Sequence, residues 1–129
     1  MNTNNHQLEE LLFEKDYIKS RHDKLVKKID TRLKSTGLYD TVLHNAEYFY
    51  PNGNQVSDAD NIAINHKLRK IIYIEDKSNK NNPGLIQKGV KQILTAKRYF
   101  NTYAKQYTFY GFLCLNDKKI NRYKIYRVV

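Results

Sequence analysis

The chain has 129 residues, which is enough to bury one hydrophobic core and too few for two ordinary domains, so a single domain is expected over residues 1–129. Lys and Arg number 23 against 13 Asp and Glu, and the resulting formal charge of +10 favours partners that carry phosphate groups. Cys114 is the single cysteine, which excludes an internal disulfide and a thiolate-based zinc or iron–sulfur centre. Because no apolar run approaches the roughly 20 residues that span a bilayer and the N-terminus lacks a signal-peptide pattern, we expect a soluble cytoplasmic protein without a membrane partner.

The N-terminal part of the chain has the pattern of an amphipathic helix. Apolar residues between positions 6 and 34 recur at spacings of three and four, and Gly37 is suited to end such a helix. His22 falls on the apolar stripe, between Ile18 and Leu25, and is therefore expected to face the body of the protein.

Three strands are predicted next, in the order of a β-meander. Residues 39–50 end in an aromatic run before a Pro-Asn-Gly turn and predict the first strand. The apolar segments at residues 60–64 and 71–78 predict the second and third, joined by a polar turn at residues 65–70.

The C-terminal half predicts a second helix and a closing β-hairpin. A loop at residues 79–84 precedes a helical pattern that starts near Leu85. Residues 107–115 and 120–129 flank a polar turn, as the two strands of a hairpin do. The chain is therefore predicted to be an α/β protein with a central mixed sheet.

Acidic residues and a lysine are placed at one point of this predicted sheet. Asp60 begins the second strand, and Glu75, Asp76 and Lys77 end the third. Because side chains alternate along a strand, Glu75 and Lys77 are expected to share a face while Asp76 points away. A hairpin brings Asp60 opposite the Glu75 end of the third strand. This arrangement predicts a metal site that acts on phosphates, with Asp58 as an alternative to Asp60 or as a second metal ligand.

An acid in one strand followed by Glu-x-Lys at the end of the next resembles the PD-(D/E)XK nuclease superfamily. The order of elements is also similar: an N-terminal helix, a β-meander, a second helix and a closing pair of strands. The resemblance implies a restriction-endonuclease-like core and a metal-dependent endonuclease that hydrolyses phosphodiester bonds. The chain departs from the family name at Ala59, which stands where the proline would be.

His22 occupies a second position that the resemblance singles out. The first helix of the family often carries a glutamate ligand followed by apolar residues three and four positions later, and here His22 is followed by Leu25 and Val26. A histidine at this point resembles the cap-snatching endonucleases of segmented RNA viruses. The resemblance implies that His22 is a metal ligand, and Asp23 beside it is the alternative.

The chemistry of phosphodiester hydrolysis gives these residues their expected roles. A hard divalent cation neutralises charge on the phosphate and activates water, and Mg²⁺ is held by carboxylate and carbonyl oxygens. We expect Mg²⁺ or Mn²⁺ as the cofactor, with Mn²⁺ favoured if an imidazole is a ligand. Lys77 would either deprotonate the attacking water or stabilise the transition state. The expected catalytic residues are Asp60, Glu75 and Lys77, and the expected metal ligands are His22, Asp60, Glu75 and the backbone carbonyl of Asp76.

The second helix has a basic side that is suited to a phosphate backbone. Gln92 with Lys97 or Tyr99 resembles an accessory motif of the superfamily. The predicted nucleic-acid-binding residues are Lys88, Lys91, Gln92 and Arg98.

The nature of the substrate is open between two nucleic acids. DNA is favoured for members of this size, some of which resemble dimeric Holliday-junction resolvases, so a homodimer is one expected assembly. RNA is the substrate that the histidine variant suggests. Two alternatives to an enzyme are a noncatalytic nucleic-acid-binding module on the same fold and an interaction subunit of a larger assembly.

Overall fold

The protein is an α/β structure built on one mixed six-stranded sheet with a helix packed on each face. The computed structural model describes residues 8–15, 21–77, 82–117 and 122–129, with side chains throughout except at Arg21, His22 and Asp117. The strands are β1 (Leu12–Glu14), β2 (Thr41–Phe49), β3 (Gln55–Asn65), β4 (Lys70–Lys77), β5 (Thr108–Asp117) and β6 (Arg122–Arg127). The two long helices are α1 (Arg21–Ser35) and α2 (Pro83–Tyr103).

The strands lie in the sheet in the order of the sequence, from β1 to β6. All neighbours are antiparallel except β4 and β5, which are parallel. Parallel neighbours need a long crossover connection, and α2 provides it. The α/β class, the mixed sheet and the closing strand pair predicted from the sequence are confirmed.

Strand β4 separates the two hydrophobic cores of the molecule. Ile71 and Tyr73 belong to the larger core, which includes Ile93 and Phe100 of α2. Ile72 and Ile74 belong to the smaller core, together with residues of α1. This alternation follows from the pleat of a strand that is buried on both faces. The two sides of the sheet are the α1 face and the α2 face, each named after the helix that packs on it.

Helix α2 begins two residues earlier than its apolar pattern indicated. The side chain of Asn82 accepts hydrogen bonds from the backbone N–H groups of Gly84 and Leu85, and Pro83 occupies the first turn. An asparagine cap followed by proline is a favourable helix start because it satisfies exposed backbone donors and fixes the first φ angle.

The prediction of one continuous N-terminal helix over residues 6–34 was wrong. A single helical turn at residues 8–10 is followed by β1, and α1 begins only at Arg21. Strand β1 pairs with β2 and places Leu8 in the larger core. Pairing with β2 therefore outweighed the local helical spacing of these leucines. Among the described residues, no helix has the length and apolar character needed to cross a membrane.

Candidate functional site

The candidate site lies where β3 and β4 separate. Their ladder runs to the pair Asn61 and Ile74. One residue further, Oδ2 of Asp60 accepts a hydrogen bond of 2.7 Å from the backbone N–H of Asp76. The Asp60 carboxylate thus lies at the Glu75 end of β4, which is the position that the hairpin geometry predicted.

A missing residue pair between β2 and β3 accounts for the direction of the Asp60 side chain. The ladder between β2 and β3 omits the pair Asn45 and Asp60, and Asn45 has a left-handed backbone with φ of 48°. Ala59 packs in the larger core, whereas the side chain of Asn61 donates a 3.0 Å hydrogen bond to the carbonyl oxygen of Val26 in α1. The strand therefore changes face at Asp60. Local breaks of this kind redirect side chains at functional sites.

Glu75 is buried, with 2% of its surface exposed, and its carboxyl group interacts with that of Asp60. The hydroxyl of Tyr73 lies 2.7 Å from Oε1 of Glu75 and 3.2 Å from the carbonyl oxygen of Asp58. Burial and then the negative charge of Asp60 raise the pKa of Glu75 well above its usual value, although the Tyr73 hydrogen bond opposes the rise. Two adjacent carboxyl groups of this kind favour a bound proton or cation between them.

Lys77 shares the α2 face with Glu75 and is held there by α2. Its Nζ donates a 2.9 Å hydrogen bond to Oε1 of Gln92. Gly89, one turn earlier in α2, lies directly against the lysine, because a Cβ at this position would be 3.2 Å from Cε of Lys77 and 2.7 Å from Cδ1 of Leu113. The absence of a side chain at Gly89 thus allows the close approach of helix and strand.

Asp76 contributes its backbone, and not its carboxyl group, to this arrangement. Its carboxyl group is buried beside Cys114 on the α1 face. Burial and then the charge of Asp76 raise the pKa of the Cys114 thiol. The alternation predicted for Glu75, Asp76 and Lys77 is therefore present. The role of the Asp76 carbonyl as a metal ligand stays a prediction.

The remaining predicted ligands lie in the first turn of α1 and in β3. His22 lies in the first turn of α1, and its side chain is outside the described part of the chain. Asp23 is half-buried in the same turn. Asp58 is a poor substitute for Asp60, since its side chain is 56% exposed and lies 2.8 Å from Nε2 of Gln55 and 3.9 Å from Nζ of Lys15.

The predicted nucleic-acid-binding residues do not all border the site. Gln92 contacts Lys77, and the three basic residues are exposed. A helix turns by about 100° per residue, so Lys88 lies about 40° from Gln92, Lys91 about 100° and Arg98 about 120°. Lys88 is thus, of these three, the basic residue nearest to Gln92 around the helix. Arg98 lies further round, and its Nη2 is 3.5 Å from Oγ1 of Thr95.

Sequence reasoning missed Tyr73 and Gly89 as parts of the site. Tyr73 lies two residues before Glu75, so strand alternation alone would have placed it on the same face. Gly89 gave no such signal, because its importance depends on the packing of α2 against β4.

Comparison with protein-family models, with curated proteins and with solved structures found no match. A function for this chain is therefore argued from its own geometry and charge.

Proposed function

We propose that this protein is a metal-dependent endonuclease with a restriction-endonuclease-like core that hydrolyses phosphodiester bonds, with DNA as the favoured substrate. The observation that carries the proposal is the convergence of Asp60, Glu75 and Lys77 at the fork between β3 and β4. The order of elements supports it, since an antiparallel meander of β2, β3 and β4 is followed by α2 and the parallel strand β5.

The donor set fits a divalent cation. Burial and then the negative charge of Asp60 raise the pKa of Glu75, so a positive charge between these two carboxyl groups is favourable. Carboxylate oxygens are the ligands that Mg²⁺ and Mn²⁺ prefer. Asp60 and Glu75 would hold the ion, with the Asp76 carbonyl and His22 as the further predicted ligands. When bound, such an ion supplies charge at a phosphate oxygen and lowers the pKa of a coordinated water.

The protein side chains position the reacting groups. Tyr73 orients the Glu75 carboxyl group, and Gln92 fixes the ammonium of Lys77. An ammonium has three N–H donors, and the bond to Gln92 uses one of them. The remaining two are suited to a phosphate oxygen and the attacking water. Lys77 then stabilises the negative charge that develops in the transition state. Electrostatic stabilisation of this kind is usually the largest single contribution to catalysis.

The charge of the molecule favours a nucleic-acid substrate. The formal charge of +10 attracts a polyanion, and Lys88 lies beside Gln92 on the edge of α2 that borders the site. Contacts of this kind bind the backbone without reading the sequence of bases. We therefore propose that specificity, where present, is for the structure of the nucleic acid.

The test is a cleavage assay on labelled single-stranded, duplex and four-way-junction DNA and on single-stranded RNA, with Mn²⁺, Mg²⁺ or EDTA. The variants are Glu75→Gln and Lys77→Ala. Their matched controls are Glu47→Gln, which removes an acid that pairs with Lys15, and Lys67→Ala, in the exposed turn before β4. Metal-dependent cleavage that is lost in the first two proteins and kept in the controls supports the proposal.

A second candidate is a noncatalytic nucleic-acid-binding module, which the exposed basic residues of α2 also favour. Salt-sensitive binding to the same substrates, without cleavage under any metal condition, would support the module and contradict the nuclease.

A further inference from the structure

A second group of chemically active side chains lies on the α1 face, and three different elements contribute to it. Glu14 comes from β1, Asp30 from α1 and His44 from β2. Nδ1 of His44 is 3.3 Å from Oδ1 of Asp30 and 3.4 Å from Oε2 of Glu14. The three donor atoms lie within 4.8 Å of one another, and Asp30 and His44 are each only 2% exposed.

Among the described residues, hydrogen bonds leave one oxygen of Asp30 in this group unsatisfied. Nζ of Lys34 pairs with Oδ2 of Asp30 at 3.0 Å, and the backbone N–H of His44 donates to Oε2 of Glu14 at 3.1 Å. Oδ1 of Asp30 is buried and has no hydrogen-bond partner in the part of the chain that the structure describes. Buried carboxylate oxygens are nearly always bonded, so this oxygen, which lies 3.3 Å from an imidazole nitrogen, is suited to share a proton or a metal ion with it.

The distances fit a metal ion. Donor atoms about 2.0 to 2.2 Å from a tetrahedral centre are about 3.3 to 3.6 Å from one another, and the two distances to His44 fall in this range. An imidazole nitrogen with two carboxylate oxygens is also a donor set that suits Zn²⁺.

We propose that Glu14, Asp30 and His44 form a Zn²⁺ site that ties β1 and α1 to β2. This site is distinct from the proposed phosphodiester site, whose Glu75 and Lys77 lie on the opposite face of the sheet. The side chain of Glu14 is 30% exposed, which gives an ion a route from solvent. Lys34 holds the other oxygen of Asp30, as the outer partners of metal ligands commonly do.

A site of this kind would fasten the edge of the sheet. Strand β1 has three residues, and β2 is its one neighbour among the described strands. Its register is therefore held by few backbone bonds, and a metal ion shared with α1 and β2 would fix it. Because the ligands come together only in the folded chain, ion binding would stabilise the fold.

The experiment titrates Zn²⁺ by calorimetry and measures thermal unfolding with and without Zn²⁺. All proteins carry Glu75→Gln, so that the other site is weakened and does not obscure the result. Onto this background are added Glu14→Gln, His44→Gln or the control Glu47→Gln, which removes an acid of β2 outside the group. We expect about one Zn²⁺ per chain and a rise in unfolding temperature. Glu14→Gln and His44→Gln should each lower the affinity at least about tenfold and abolish that rise, and Glu47→Gln should do neither.

Two results would overturn the proposal. The first is a Zn²⁺ affinity that is the same in the Glu14→Gln protein as in the Glu47→Gln control. The second is a nitrogen NMR spectrum in which both ring nitrogens of His44 carry protons at neutral pH in the presence of Zn²⁺, since this would identify a buried ion pair. If His44→Gln fails to fold, Glu14→Gln decides the question, because Glu14 is partly exposed and glutamine preserves its shape. None of these measurements uses nucleic-acid cleavage, so failure of the nuclease proposal would be seen separately.

Discussion

The two faces of this sheet carry pairs of carboxyl groups, one buried and one half-buried, that lie beside different nitrogen-containing side chains. On the α2 face, Asp60 and Glu75 lie beside the ammonium of Lys77, which Gln92 holds in place. On the α1 face, Glu14 and Asp30 surround an imidazole nitrogen of His44. An ammonium has protons and no lone pair, so it stabilises an anionic substrate, whereas a neutral imidazole offers a lone pair to a metal. The ammonium therefore suits the α2-face group to act on an anionic substrate beside its proposed ion, whereas the imidazole of the α1-face group is suited to be a metal ligand itself.

The largest expected effect is on the rate of nucleic-acid cleavage, which substitutions on the α2 face should lower and a substitution on the α1 face should not. Glu75→Gln and Lys77→Ala should each lower the rate of metal-dependent cleavage by at least about 10² to 10³-fold, because the first removes a charged ligand of the proposed ion and the second removes a cation that stabilises the transition state. Glu14→Gln should leave the rate within about threefold of the wild type when assayed well below its unfolding temperature. Single-turnover rates on the best substrate would measure this, and equal losses in all three proteins would contradict the division of roles.

The second prediction concerns Asn61, which lies between the two groups and joins β3 to α1. Asn61→Ala removes its hydrogen bond to the buried Val26 carbonyl and should lower the free energy of unfolding by about 1 to 3 kcal/mol. Asn65→Ala is the control at an exposed position, where it removes a similar bond to the carbonyl of Leu38 and a second bond from the backbone N–H of Leu68. Urea denaturation would measure both, and a cost for Asn65→Ala that equals or exceeds that of Asn61→Ala would contradict the importance of burial.

The third prediction is that Glu75, on the α2 face, lowers the free energy of unfolding by an amount that depends on pH. The pKa of Glu75 is raised in the folded chain above its value of about 4.5 in the unfolded chain, so the folded state binds more protons between those two values. The free energy of unfolding therefore falls as the pH rises through this window. Glu75→Gln should remove that fall and raise the free energy of unfolding at neutral pH above that of the wild type.

Urea denaturation from pH 4 to pH 8 would test this, with Glu47→Gln as the control in which no such gain is expected. A Glu75→Gln protein that is less stable than the wild type at pH 7 would show that Glu75 stabilises the fold, and would weaken its assignment to a functional site.

The smallest expected effect maps the path of the nucleic acid along α2. Lys88→Ala should weaken binding several-fold and reduce the salt dependence by about one counterion, since Lys88 lies nearest to Gln92. Lys91→Ala makes the same chemical change further round the helix and should have less effect. Fluorescence anisotropy at several salt concentrations, in the Glu75→Gln background, would compare them. A larger loss in the Lys91→Ala protein would place the backbone on the other side of α2.

The parts of the fold that depend on local patterns could be predicted from the sequence. The alternation of Glu75, Asp76 and Lys77 follows from the pleat of a single strand, and the approach of Asp60 follows from one hairpin. Strand β1 could not be predicted, because its residues have helical spacing and their strand conformation depends on pairing with β2. The group of Glu14, Asp30 and His44 gave no signal either, since its members come from three elements that only the folded sheet brings together.

The burial of Cys114 gives the chain a natural reporter of its own opening. The thiol has no exposed surface, and its raised pKa leaves little of the reactive thiolate at neutral pH. A thiol reagent should therefore modify it only when α1 lifts from the sheet or the whole chain unfolds. Since Cys114 is the single cysteine of the sequence, the rate of that modification would measure the frequency of such openings without an engineered label. The same rate, followed during addition of a metal ion or a nucleic acid, would show which ligand holds the α1 face closed.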